Sequence, residues 1–130
     1  MHDTEVGCRI EGRVGYLDFP HDVTARVRAA AYQAYSELAD ARVDVIGMNF
    51  TGSDYLNSAG IGLIISLVED AAQGGRQVFG FGLSSHYHKL FGMVGLTERM
   101  TLVDSEEEVQ AVLEGGHAAD DSTKVSDQEG

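Results

Sequence analysis

Apolar and polar positions follow two rhythms along this chain, and the changes between them mark its elements. Cys8 to Ile10 and Val14 to Phe19 are short apolar stretches separated by Glu11-Gly12-Arg13, which predicts two strands joined by a tight turn. From Asp22, a candidate N-cap just after Pro20, the positions Val23, Val27, Ala30, Ala31, Ala34 and Leu38 keep the 3.6-residue period of one amphipathic helix. Val43 to Phe50 is apolar at nearly every position except Asp44 and Asn49, the pattern of a central strand covered on both faces.

A second helix is expected from Ser58 through Ile61, Leu63, Ile64, Ile65, Leu67, Val68, Ala71 and Ala72 to Gly74-Gly75. It is apolar almost all round, so it must be largely buried or must offer one face to a partner. Gln77 to Gly82 reads as another strand, and Ser84 or Ser85 caps a short helix carrying Leu90, Phe91 and Val94, with Gly95 as its stop. Met100 to Val103 is the last strand, and Ser105 with Glu108 forms a capping-box pattern that opens a final helix bearing Val109, Val112 and Leu113. Strands that alternate with helices require right-handed crossovers, so the expected fold class is α/β, a mixed and mostly parallel sheet of about four or five strands packed with about four helices.

Composition narrows this picture. The chain has 130 residues, 43% of them hydrophobic and 23% charged, enough for one domain with a core of its own and no need of metal or disulfide staples. Cys8 is the single cysteine and cannot close an intrachain bridge; a reducing, cytoplasmic compartment is the expectation, with Cys8 as a packing residue. No apolar run reaches about 18 residues, and Met1 to Glu5 shows no basic stretch followed by an apolar one, so neither a membrane span nor a secretory leader is expected. Net charge is −12, yet nine acids and one base lie from Asp104 onward, leaving −4 for residues 1–103. Neither part has a basic stripe, which excludes nucleic-acid binding by phosphate neutralisation. Residues 115–130 lose their apolar positions and read as a disordered acidic tail behind a domain of residues 1–114.

The candidate chemistry lies between the central strand and the second helix. Ser58 falls where the N-cap is expected, its hydroxyl at the positive end of the helix dipole beside N–H groups that have no intrahelical partner. A cap worth on the order of 1 kcal/mol explains the serine taken alone. The wider pattern goes further: Asn57-Ser58-Ala59-Gly60-Ile61-Gly62, then Gly74-Gly75 before a strand, then Leu90-Phe91 and Val94-Gly95-Leu96 on and after a short helix. This combination resembles the STAS family of sulfate transporters and anti-sigma factor antagonists, and among them the small free-standing antagonists, which carry Asp-Ser-Ser-Gly or Asp-Ser-Ala-Gly followed by Leu or Ile and Gly. The likeness covers roughly residues 43–113 well and 1–42 loosely; the Gly-x-Leu-Asp usual before the first helix goes unassigned.

The resemblance implies that Ser58 is phosphorylated by a partner that is both anti-sigma factor and serine protein kinase. The unphosphorylated form binds that partner and frees the sigma factor, and a serine phosphatase resets the cycle. The docking surface implied comprises Asp54, Asn57, Ser58, Ala59, Gly60, Ile61 and exposed positions of the helix such as Ile65. Asn49 and Asn57 stand where the family commonly has aspartate. Binding without phosphorylation, with a scaffold role or an output other than transcription, is therefore the alternative, and a small-ligand or nucleotide sensor on the same fold is a third. A weak homodimer is an open partner alternative.

Other chemistry finds less support in the residues. A nucleophilic Ser58 needs a base in reach; the candidates are His86 and His88, whose spacing does not share a helix face, and no Gly-x-Ser-x-Gly elbow is present. The same pair lacks further ligands nearby for a metal. Gly60-Ile61-Gly62 and Gly80-Phe81-Gly82 lack the remaining glycine and the basic residue of a phosphate-binding loop, and read as positions of close packing. The expectation is a protein-binding domain without catalysis, cofactor or metal.

Overall fold

The computed structural model describes residues 4–115. β1 (Gly7–Glu11) and β2 (Val14–Asp18) form an antiparallel hairpin that turns at Gly12, where a φ of 64° favours glycine. There follow β3 (Asp22–Val23), a 3-10 turn over Ala25–Val27, α1 (Arg28–Asp40), β4 (Val45–Asn49), β5 (Tyr55–Leu56) and α2 (Ser58–Gln73). The chain continues with β6 (Gln77–Phe81), α3 (Ser85–Met93), a second 3-10 turn at Leu96–Glu98, β7 (Thr101–Val103) and α4 (Glu106–Gly115).

The main sheet has five strands in the order β1-β2-β4-β6-β7. β2, β4, β6 and β7 run parallel to one another and β1 is the antiparallel edge. Side chains alternate across the pleat, so Leu17, Ile46, Met48 and Val78 join the core under α1, α2 and α3. Val14, Tyr16, Val45, Phe79 and Phe81 face the other way and pack with Val109 of α4. Burial on both faces is why the inner strands read as nearly continuous apolar runs. α2 buries Leu63, Ile64, Leu67, Val68 and Ala71, and Phe50 stacks on Phe19 at 5.0 Å while meeting Phe91 edge-on at 5.7 Å.

Three expectations change. The first helix begins at Arg28, not Asp22. Asp22 and Val23 instead pair in parallel with Tyr55 and Leu56, and Thr24 caps the 3-10 turn through Arg26 N–H. Val23 and Val27 are fully or almost fully buried all the same, so their spacing imitates a helix whose backbone is absent there; a two-residue strand with a distant partner leaves no local periodicity. Gly15-Tyr16-Leu17-Asp18 lies on β2 and is a Gly-x-Leu-Asp run, so the N-terminal third follows the family pattern more closely than expected. Finally α4 extends to Gly115, the first residue of the expected tail, and the rest of that tail, 116–130, lies outside the described residues. Among the described residues no helix is long and apolar enough to cross a membrane.

Candidate functional site

The segment between β4 and α2 has little regular structure of its own, and it is stitched to residues 20–23. Ser53, the buried polar side chain of the region, donates its Oγ proton to the Pro20 carbonyl at 2.6 Å. The N–H groups of Asp54 and Tyr55 donate to the His21 carbonyl at 2.9 and 3.2 Å, and Asn57 N–H donates to Val23 at 3.3 Å. Successive strand residues direct their peptide groups to opposite edges, so the N–H and C=O of Leu56 face away from β3. There the Tyr87 hydroxyl of α3 accepts from Leu56 N–H at 3.0 Å and donates to Leu56 C=O at 3.3 Å. Every edge of this short strand is thereby satisfied without a third strand.

This scaffold presents the start of α2. The N-cap is Asn57, not Ser58: its backbone is extended and its Oδ1 accepts from Gly60 N–H at 2.8 Å. Asparagine is as good a cap as serine, and the strand pairing of the preceding residues fixes the helix start one position earlier than the hydroxyl pattern suggests. Ser58 is the first helical residue and is exposed. Its hydroxyl makes no hydrogen bond to another described residue. The cap role that accounted for the serine belongs to its neighbour.

The other expected surface residues divide. Asp54 and Ala59 are exposed and Asn57 is half-buried. Gly60 is buried against β3, where a Cβ would collide with the Val23 carbonyl oxygen, and Ile61 is 9% exposed within the core; both are packed where α2 rests on the rest of the domain. Ile65 is half-buried rather than exposed. It lines a shallow groove of about 340 Å³ with Val68, Glu69, Val94, Leu96 and Arg99. Gly62, expected as a close-packing glycine, faces open space.

Charged groups flank the turn in two sets. His21 bridges two carboxylates, with Nδ1 at 2.9 Å from Asp22 Oδ1 and Nε2 at 2.8 Å from Asp54 Oδ2. The hydrogen bond to Asp22, followed by the charge of Asp54, raises the His21 pKa. The link is thus at full strength below the ordinary imidazole pKa and fades as pH rises through the raised one. In the second set, Asn49 Nδ2 donates to Asp18 Oδ1 at 2.8 Å while Asn49 Oδ1 accepts from Thr51 N–H at 2.9 Å. An amide can do both and an ionised carboxylate cannot donate, so the asparagine at this position has a structural reason. Arg9, with burial opposing and Asn49 assisting, holds the Asp18 carboxyl below its usual range.

Local sequence gave no signal for His21, Ser53 or Tyr87, because each acts on a residue brought close by β3–β5 pairing or by α3. His86 and His88 are exposed on α3. Among the described residues no group of three or more His, Cys, Asp or Glu stands together as a metal site. Cys8, expected as a packing residue, is exposed on the edge strand, with its sulfur 3.7 Å from the Ala34 carbonyl; partial burial and Glu37 push its thiol pKa up.

No family model matches the chain, and no curated protein matches it by sequence. Solved structures do. The anti-sigma factor antagonist SpoIIAA in its unphosphorylated form aligns with a TM-score of 0.67 over 85% of this chain and 98% of that one, at 15% identity. The phosphorylated form, described as a Bacillus cell fate determinant, gives 0.65 at 17% identity, with 82% and 98% covered. An anti-sigma factor antagonist from Mycobacterium paratuberculosis gives 0.67 at 13% identity, with 84% and 92% covered. The chain has the fold of these antagonists along nearly their whole length.

Proposed function

We propose that this protein is an anti-sigma factor antagonist that binds an anti-sigma serine kinase through the surface around Ser58 and is released when Ser58 is phosphorylated. The observation that carries the reading is the position of Ser58: first in α2, exposed, and with a hydroxyl that capping leaves unused. A kinase can reach such an oxygen without unwinding the helix.

The same position tolerates the product. The first turn of α2 contains no acidic residue, and Asn57 Oδ1 occupies Gly60 N–H, leaving the N–H groups of the first helical residues to face an anion. A phosphate there adds about −1.5 to −2 charges at the favourable end of the dipole. In an interface closed over the same spot, that charge meets desolvation instead. Fold is kept and binding is lost.

A second reading has its own observation. Asn57 is neutral and committed to the cap, so the aspartate usual beside the serine in the resembling family is missing, and a constitutive antagonist or scaffold with another output needs no phosphate at all. Incubation with ATP and the cognate kinase, followed by peptide mass spectrometry, separates the two. The first reading expects one phosphate on the peptide carrying Ser58, none on Ser58→Ala, and kinase capture by Ser58→Ala but not by Ser58→Glu. Equal capture of both variants overturns the charge switch.

A further inference from the structure

Tyr87 is 31 residues from Leu56 in the chain, yet its single hydroxyl oxygen serves both polar groups of that residue. A hydroxyl can accept and donate at one atom in this way, which no atom of an amide, carboxylate, ammonium or guanidinium group can. Leu56 is 4% exposed, which leaves its polar groups little access to solvent. The ring of Tyr87 packs against the main core, and its backbone N–H is held by the Ser84 cap at 3.4 Å. The strut is anchored at both ends.

The peptide unit between Leu56 and Asn57 is gripped from two sides. Its carbonyl accepts from Tyr87 and its N–H donates to Val23. A peptide is planar and moves as one body. Any tilt of the Asn57 backbone therefore changes the bond to Tyr87, and Asn57 is the residue that caps α2 and precedes Ser58. An anion on Ser58 draws the free N–H groups of the same turn toward it.

We propose that Tyr87 is the positioning residue of the Ser58 turn, and that its hydroxyl carries the charge state of Ser58 to α3. This rests on Ser58 being the switched residue. It assigns α3 the part of a second reporting surface, linked to the serine by one pair of hydrogen bonds.

The test uses the full chain and no partner. Amide spectra are recorded for wild type, Ser58→Glu, Tyr87→Phe and the double variant. In the wild-type background Ser58→Glu shifts amides of α3 as well as those of Ala59 to Gly62; in Tyr87→Phe the α3 shifts are lost while the local ones persist. Tyr87→Phe also speeds exchange of the Leu56 amide by on the order of tenfold, with the β1–β2 amides unchanged. Equal α3 shifts in both backgrounds, no α3 shift in the wild-type background, or an unaltered Leu56 amide each overturns the proposal. Should Tyr87→Phe not fold, the Tyr87 ring resonances of the otherwise native chain decide: they move with Ser58→Glu if the strut transmits and stay if it does not. The partner switch fails separately, by equal kinase capture of Ser58→Ala and Ser58→Glu with the α3 shifts intact.

Discussion

Arg9 and Ser58 sit in two regions fastened by different means. Arg9 donates to Asp18 at 2.7 and 2.9 Å, to Glu11 at 2.9 Å and to Glu106 at 3.0 and 3.1 Å, and it lies 4.5 Å over the Tyr16 ring. One guanidinium thus ties β1, β2 and α4 together with charge. Apart from the exposed His21 bridge to Asp22 and Asp54, the Ser58 turn is held from below by neutral groups: the Ser53 hydroxyl, the Asn57 amide, the Tyr87 hydroxyl and backbone N–H groups. Where charge does the fastening, stability depends on pH and the side chains are fully engaged. Where neutral hydrogen bonds do most of it, the Ser58 hydroxyl itself makes no hydrogen bond to another described residue. The first region is a structural fastening, and the second carries the surface proposed to switch.

Substitutions at four positions sharpen or break this division. Gly60→Ala drives a methyl group into the Val23 carbonyl and should have the largest effect, a loss of about 3 kcal/mol in urea unfolding; a near-neutral result would mean that β3 is not packed against α2. Arg9→Met should cost about 2 kcal/mol at neutral pH by leaving the partly buried Asp18 carboxylate without its bidentate partner. The sign of its pH dependence follows from the depressed Asp18 pKa. The contribution is present above the unfolded carboxyl pKa and disappears as pH falls through the folded value, so the unfolding midpoints of wild type and Arg9→Met converge in acid. If Arg9→Met impaired kinase capture as strongly as Ser58→Glu, the two regions would not be functionally separate.

Asn57→Ala should lose about 1 kcal/mol through the cap, and Asn57→Asp almost nothing, since aspartate caps equally well. Thermal melts of the pair read this directly. Smallest in stability is Ser58→Ala, expected within about 0.5 kcal/mol of wild type because the residue is exposed and no hydrogen bond to another described residue is removed. A larger loss would reveal a structural duty for the hydroxyl and weaken its reading as a switch.

Much of this arrangement is legible along the chain. The β1–β2 turn at Gly12, the buried β4 and the apolar α2 follow from spacing, because their burial partners impose a period on the sequence itself. The capping pair at α4 is likewise local: Ser105 Oγ accepts from Glu108 N–H at 3.3 Å, and Glu108 reaches back to Asp104 N–H at 2.8 Å. The site is legible only in part. Ser58 stands out by its place in a motif, but the cap falls on Asn57 because Asn57 N–H is drawn to Val23, and Ile61 turns inward because Gly60 lets α2 rest on β3.

The order of apolar residues by itself determined an α/β chain with a central buried strand and a serine at the mouth of an apolar helix, since side-chain burial repeats at the period of each backbone form. Only the folded molecule decided which groups meet across 31 or 33 positions of chain, as Tyr87 meets Leu56 and Ser53 meets Pro20. A hydrogen bond between distant residues depends on where the sheet and helices carry them, and leaves no rhythm along the chain at either end.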